Sequence, residues 1–134
     1  PEAIAAVLDG RRPQIRSDGS PERDFLYVGD AVAAYFAVEG AVGAGGPGAG
    51  EAFNAGGEQP YTVAEVLETI ADVSGSGLAP EYLGAGNPAG EIDRQYVDST
   101  KLRELTGWAP RVQLRDGLAR TLDWYRDHPQ LRPQ

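Results

Sequence analysis

Almost every basic residue of the chain is arginine, and Lys101 is the only lysine. A guanidinium is a planar fork that can take two phosphate oxygens at once, so one or two well-placed arginines can hold a diphosphate even in an acidic protein. Arg23 opens the segment Arg23-Asp24-Phe25-Leu26-Tyr27-Val28-Gly29-Asp30, where it stands at the mouth of an expected strand. A surface pair with Asp18, Glu22 or Asp24 is the plainer use of the same side chain, and on composition alone the commoner one. Arg16, just before the Asp18-Gly19 turn, could stack on a base or reach a phosphate, or could be a solvated strand-edge residue. Asp30 reads more simply as a helix cap than as a ligand.

Gly43, Gly45 and Gly48 satisfy the spacing G-x-G-x-x-G. That pattern binds a dinucleotide when a strand enters the turn and a helix leaves it, placing the pyrophosphate on the helix N-terminus. Here a helix enters and a short strand is expected to leave, in a stretch crowded with Gly and Ala, so no nicotinamide cofactor is expected to bind through this loop. His128, the only histidine, lies in a polar tail before Pro129 without a partner pattern, which argues against a catalytic or metal role. Cysteine is absent, so disulfides and thiolate metal sites are excluded.

The elements that must position these groups read from Glu2 onward. Glu2 to Leu8 has helical spacing of Ile4, Val7 and Leu8 and stops at Gly10, and Pro13 to Arg16 is a short extended stretch. Phe25 to Val28 is expected as a strand, and Asp30 as the cap of a helix carrying Val32, Tyr35, Phe36 and Val38. Gly40 to Gly50 has the composition of a flexible loop, with a strand expected over Glu51 to Asn54. Thr62 and Glu65 form a capping box for an amphipathic helix with Val63, Val66, Leu67, Ile70 and Val73 on one face, ended by Ser74 to Gly77. Tyr82-Leu83 and Gln95-Tyr96-Val97 are short extended candidates, Asp98 or Ser99 caps a short helix through Leu105, and Leu114 to Asp127 forms the last helix on Leu114, Leu118, Leu122 and Tyr125.

The whole is a small mixed α/β domain of 134 residues, a size that buries roughly two thirds of its unfolded surface. A net charge of −8 argues against nucleic acid or an anionic membrane as a partner. No apolar run approaches the ~20 residues of a membrane span, and Pro1 begins no signal peptide, so a cytoplasmic protein is the expectation. The absence of methionine reads as a piece of a longer protein.

Three segments in this order, Arg23 to Asp30, Phe53-Asn54-Ala55-Gly56, and Leu105-Thr106-Gly107-Trp108-Ala109-Pro110, resemble the C-terminal, substrate-binding region of the extended short-chain dehydrogenase/reductases, the NAD(P)-dependent nucleotide-sugar epimerases and dehydratases. The resemblance runs from about Leu8 to Arg126. It implies that residues 1–134 are one nucleotide-sugar substrate-binding domain, completing an upstream Rossmann domain that lies outside this sequence together with the dinucleotide fingerprint and the catalytic Tyr-x-x-x-Lys. Neither a catalytic nor a cofactor-binding residue is then expected here, and NAD or NADP would be bound by the other half. By the same resemblance Arg23 contacts the nucleotide diphosphate, and Ile15 and Arg16 lie where the base passes along the backbone. Asn54 lies near the nucleotide, where its amide could bond ribose or base, or could simply favour the turn at Gly56 and Gly57. Glu91, in Glu91-Ile92-Asp93, would accept ribose hydroxyls, since a carboxylate offers only acceptors.

One departure stands out: Pro88 occupies the place where many members carry a second phosphate-binding arginine, which puts epimerase-like clamping in doubt and leaves Arg94 as a substitute from a few residues away. The Glu-Ile-Asp form with Gln95-Tyr96 leans toward the 4,6-dehydratase side. Leu105, Trp108 and Pro110 are read as core and turn. The parent enzyme of such a chain would be a homodimer through its other half, so no family-type dimer is expected of these residues. A free-standing nucleotide-sugar binding or regulatory module is the alternative.

Overall fold

Thr62 and Glu65 form the capping box that their spacing requires, the Thr62 hydroxyl accepting from the Glu65 N–H at 3.1 Å and the Glu65 carboxylate from the Thr62 N–H at 2.8 Å. The computed structural model describes residues 1–87 and 89–133. Pro88, and with it the position of the second phosphate-binding arginine, lies outside the described residues. Along the chain run α1 (Glu2–Leu8), β1 (Gln14–Ile15), β2 (Glu22–Asp24), α2 (Val28–Val42), β3 (Pro60–Thr62), α3 (Val63–Ser74), β4 (Glu81–Tyr82), β5 (Arg94–Gln95), α4 (Thr100–Thr106) and α5 (Leu114–Asp127). The fold is mixed α/β, as the sequence implies.

Two apolar clusters organise these elements. Ile4 and Val7 of α1, Ile15 of β1, Val66, Leu67 and Ile70 of α3 and Leu122 of α5 close on one another, with Leu114, Leu118 and Tyr125 packed around them. This is the face that the periodicity of α3 and α5 assigns to the interior, and Gly75 stops α3 in the left-handed conformation that glycine adopts without a Cβ clash. The second cluster joins Ala34 of α2 to Leu102 of α4 and to Trp108, with Leu26, Ala37, Val38 and Phe53 against it. Trp108 is core, as expected, and its indole N–H donates to the Asp30 carbonyl at 3.2 Å.

The strands differ from expectation in a consistent way. The strand expected at Phe25 to Val28 forms three residues earlier, because β2 is flanked on both sides by chain that can pair with it. Glu22, Arg23 and Asp24 lie antiparallel to Thr62, Tyr61 and Pro60 of β3, while Glu22 and Arg23 lie parallel to Arg94 and Gln95 of β5. Val28 instead begins α2, whose cap position is Tyr27. Asp30 therefore does not cap this helix. It lies in the first turn, buried, and its carboxylate accepts the N–H groups of Arg111 at 3.1 Å and Val112 at 2.9 Å.

Glu51 to Asn54 forms no strand, and the strand after the glycine-rich stretch is β3. The glycine-rich stretch itself begins inside α2, which runs to Val42 before a 3-10 turn over Gly43–Gly45. On α2 the inward side is Ala34 with Ala37 and Val38, whereas Val28, Val32, Tyr35 and Phe36 face outward. β1 pairs in parallel with β4, Gln14 beside Glu81 and Ile15 beside Tyr82. Ser99 occupies the cap position of α4, but it is Asp98 whose carboxylate takes the Thr100 N–H at 2.9 Å. No helix among the described residues is long and apolar enough to cross a membrane.

Candidate functional site

Arg23 is the middle residue of β2 and is held from three directions. Its Nη1 donates to the Glu22 carbonyl at 2.8 Å and to the Ile92 carbonyl at 2.7 Å, and its Nη2 donates to the Glu91 carboxylate. The pairing with Asp18, Glu22 or Asp24 that composition favours does not form; the partner is Glu91, 68 residues away in sequence. The cause is the parallel pairing of β2 with β5, which carries the preceding segment past Arg23 and lets the Glu22 N–H donate to the Asp93 carbonyl at 2.7 Å.

Each member of this pair lines a groove. Glu91 forms part of the wall of a groove of about 1110 Å³, with Arg12, Ile15, Arg16, Ser17 and Pro21 among its other walls. Arg16 has no hydrogen-bond or ion-pair partner among the described residues, while Arg12 is committed to the carbonyls of Ala79 and Pro80, each at 2.8 Å. Arg23 lines a second, smaller groove of about 260 Å³ with Asp24, Ala55, Gly56, Gln95 and Tyr96. Glu91 thus touches Arg23 and shares the wall of the larger groove with Arg16.

Asn54 and Arg94 are placed differently. Asn54 is exposed at the approach to Ala55 and Gly56, its Nδ2 lying 3.4 Å from the Asp98 carbonyl, a long contact that leaves the amide available. Arg94 pairs across the ladder with Glu22, whereas Arg23 pairs with Gln95, so Arg94 projects from the face of the sheet opposite Arg23. Its Nε lies 2.7 Å from the Glu22 carboxylate, an ion pair off the N–H axis that leaves Glu22 Oε2 without an aligned hydrogen bond, and its guanidinium covers the Tyr96 ring at 5.1 Å. Arg94 is therefore not gathered with the other candidates.

Sequence reasoning missed Asp24. Its carboxylate accepts the Gly57 N–H at 2.6 Å and the Val97 N–H at 3.3 Å, tying the Phe53-to-Gly57 turn and the exit of β5 to β2. A Cβ on Gly56 would come within 2.2 Å of Asp24 Oδ2 and 2.4 Å of Val97 Cγ2, so this turn approaches too closely for a side chain. Ser99 adds a third tie by accepting the Gly56 N–H at 2.9 Å. Among the described residues no group of His, Asp and Glu side chains could hold a metal ion. His128 stacks on Trp124 with centroids 4.5 Å apart and lines neither groove. Gly43, Gly45 and Gly48 follow a helix and lead into turns, the reverse of the strand-to-helix order that presents amides to a pyrophosphate.

Comparison with known proteins gives a consistent set of relatives. Residues 1–56 match the model of the NAD dependent epimerase/dehydratase family. Over 93% of its length the chain is 37% identical to a UDP-glucose 4-epimerase of Mycolicibacterium smegmatis, covering 38% of that protein. It is 33% identical to a dTDP-glucose 4,6-dehydratase of Streptomyces griseus over 96% of its length and 37% of the other's. The fold superposes on the crystal structure of a UDP-glucose 4-epimerase of Thermotoga maritima with UDP-glucose, with a TM-score of 0.79 and 29% identity, covering 95% of this chain and 38% of that one. The chain spans less than two fifths of the length of these relatives.

Proposed function

Because the chain belongs to the NAD-dependent epimerase/dehydratase family, we propose that it is the substrate-binding portion of a nucleotide-sugar epimerase or 4,6-dehydratase, and that it holds the nucleotide diphosphate of the sugar. The observation that carries this reading is the pairing of Arg23, in the wall of the smaller groove, with Glu91, in the wall of the larger one, which is also lined by Arg16, without a side-chain partner among the described residues. Arg23 takes phosphate oxygens, Glu91 accepts ribose hydroxyls, Asn54 offers its amide to the nucleotide, and Arg16 lies where it can meet base or phosphate. Arg94 can assist only by leaving Glu22 and crossing the sheet.

None of these groups acts on the sugar ring. In the complete enzyme NAD or NADP, bound by a preceding Rossmann domain, supplies hydride chemistry at the sugar C4. What the present residues contribute is position: anchoring a remote nucleotide converts its binding energy into placement of the reacting carbon. The outward Val28, Val32, Tyr35 and Phe36 of α2 favour this reading over a free-standing module, since an apolar helix face of that kind is suited to packing against further structure. The expected location is the cytoplasm.

Isothermal titration with UDP and with dTDP tests the reading. At least one of the two is expected to bind, and Arg23→Ala to weaken it by about tenfold or more, the loss of a charge-assisted phosphate contact. Binding that survives Arg23→Ala unchanged contradicts the assignment.

A further inference from the structure

We infer that Glu91 is a built-in substitute for the ligand phosphate: its carboxylate occupies the phosphate-binding edge of Arg23 until a nucleotide diphosphate displaces it, and the displacement is what frees Glu91 to reach the ribose. This rests on the reading of Arg23 as the diphosphate ligand.

The geometry of the guanidinium carries the inference. Arginine has five N–H donors, and its two-pronged contacts with phosphate use either the Nη1 and Nη2 pair or the Nε and Nη2 pair. Nη1 is already spent on two backbone carbonyls, those of Glu22 and Ile92. With Nη1 committed, the two-pronged edge left is Nε with Nη2, and Glu91 sits on Nη2. Nη2 carries two N–H groups, so Glu91 takes part of that edge and sets its negative charge beside any phosphate oxygens arriving there; a two-oxygen grip is opposed while Glu91 stays. The carbonyls that hold Nη1 also prevent the guanidinium from turning away, so the carboxylate is the partner that moves.

Glu91 is placed to move. Its side chain is more exposed than that of Arg23, 39% against 25%, and it follows Gly90, whose φ of 85° is in the left-handed region. It already forms part of the wall of the larger groove, so a shift off Arg23 stays within the path of the ligand. Charge acts in the same direction, because a carboxylate left beside an arriving diphosphate repels it, whereas one that retreats to ribose hydroxyls exchanges one set of donors for another.

The test separates this exchange from the ribose contact by using a ligand that has no ribose. Inorganic pyrophosphate is titrated into the 134-residue chain, with UDP and dTDP in parallel. In Glu91→Gln the pyrophosphate Kd is expected to fall about fivefold, the range of a part-exposed ion pair, because Arg23 no longer has a competing anion. Glu91→Ala gives the same sign, and the fall disappears when either is combined with Arg23→Ala. If the parent chain binds a diphosphate through Arg23 and the pyrophosphate Kd stays level or rises in both Glu91 variants, the displacement is wrong while the proposed function stands. If neither diphosphate binds the parent chain or the variants, both are wrong.

Discussion

Asp30 lies in the first turn of α2 with both an N–H of Arg111 and an N–H of Val112 on one carboxylate oxygen, a link across 81 and 82 residues of sequence. Its position near a helix start was legible, but its partners were not, because nothing local in the sequence says which loop returns to it. Asp30→Ala leaves two N–H groups short of an acceptor in a part-buried setting and is expected to cost about 2 kcal/mol, read from the denaturation midpoint. Asp24 had the same invisibility: it looked like a surface partner for Arg23 and turns out to hold the Gly57 and Val97 amides. Gly56→Ala drives a methyl into Asp24 and is expected to open the smaller groove and weaken nucleotide binding several-fold, while changes on the exposed side of α5 leave binding alone. The ligand candidates divide in the same manner. Arg23 could be chosen from its segment, but its pairing with Glu91 depends on the parallel register of β2 with β5, and that register also removes Arg94 to the other face.

The helices were legible because their signals are local. The capping box and the one-sided apolar pattern of α3, and the spacing of Leu114, Leu118 and Leu122 in α5, each sit within a few turns of chain. The strands were not, since Glu22-Arg23-Asp24 has little strand propensity, Pro60-Tyr61-Thr62 is only three residues long, and the two form because they find each other. Acid sensitivity belongs to these elements as well. Bonds from the Thr62 backbone N–H and hydroxyl hold the Glu65 carboxyl below its ordinary range, and bonds from the Ser20 and Thr100 side chains and backbones do the same for Asp18 and Asp98. The Lys101 ammonium likewise holds Glu51 down. A carboxyl lowered in the folded state contributes stability that is complete above its unfolded pKa and lost as pH falls through the folded one. The Tm is therefore expected to be level from neutrality to about pH 5 and to fall below about pH 4, with Glu65→Gln reducing the slope. A Tm that rises on acidification would contradict this account of the caps.

At the scale of the whole molecule, the first apolar cluster is enclosed by α1, α3 and α5, whereas the second is covered on one side only by α2. Tyr35 is 79% exposed, Phe36 67% and Val28 66%, on a helix whose inward residues are mostly alanine. The isolated chain is expected to bind a hydrophobic dye or to self-associate, and Tyr35→Lys with Phe36→Lys to suppress this with a stability change within about 0.5 kcal/mol. A monodisperse chain that ignores the dye would favour a free-standing module. The central claim, that these residues hold a nucleotide diphosphate beside the Arg23–Glu91 pair, is tested most directly by following backbone and arginine side-chain NMR signals while UDP or dTDP is added. Shifts concentrated at Arg16, Arg23, Asn54 and Glu91, with the Arg23 side-chain signal moving furthest, are the expected result. Shifts confined to Gly43–Gly50, or none at saturating nucleotide, would contradict it.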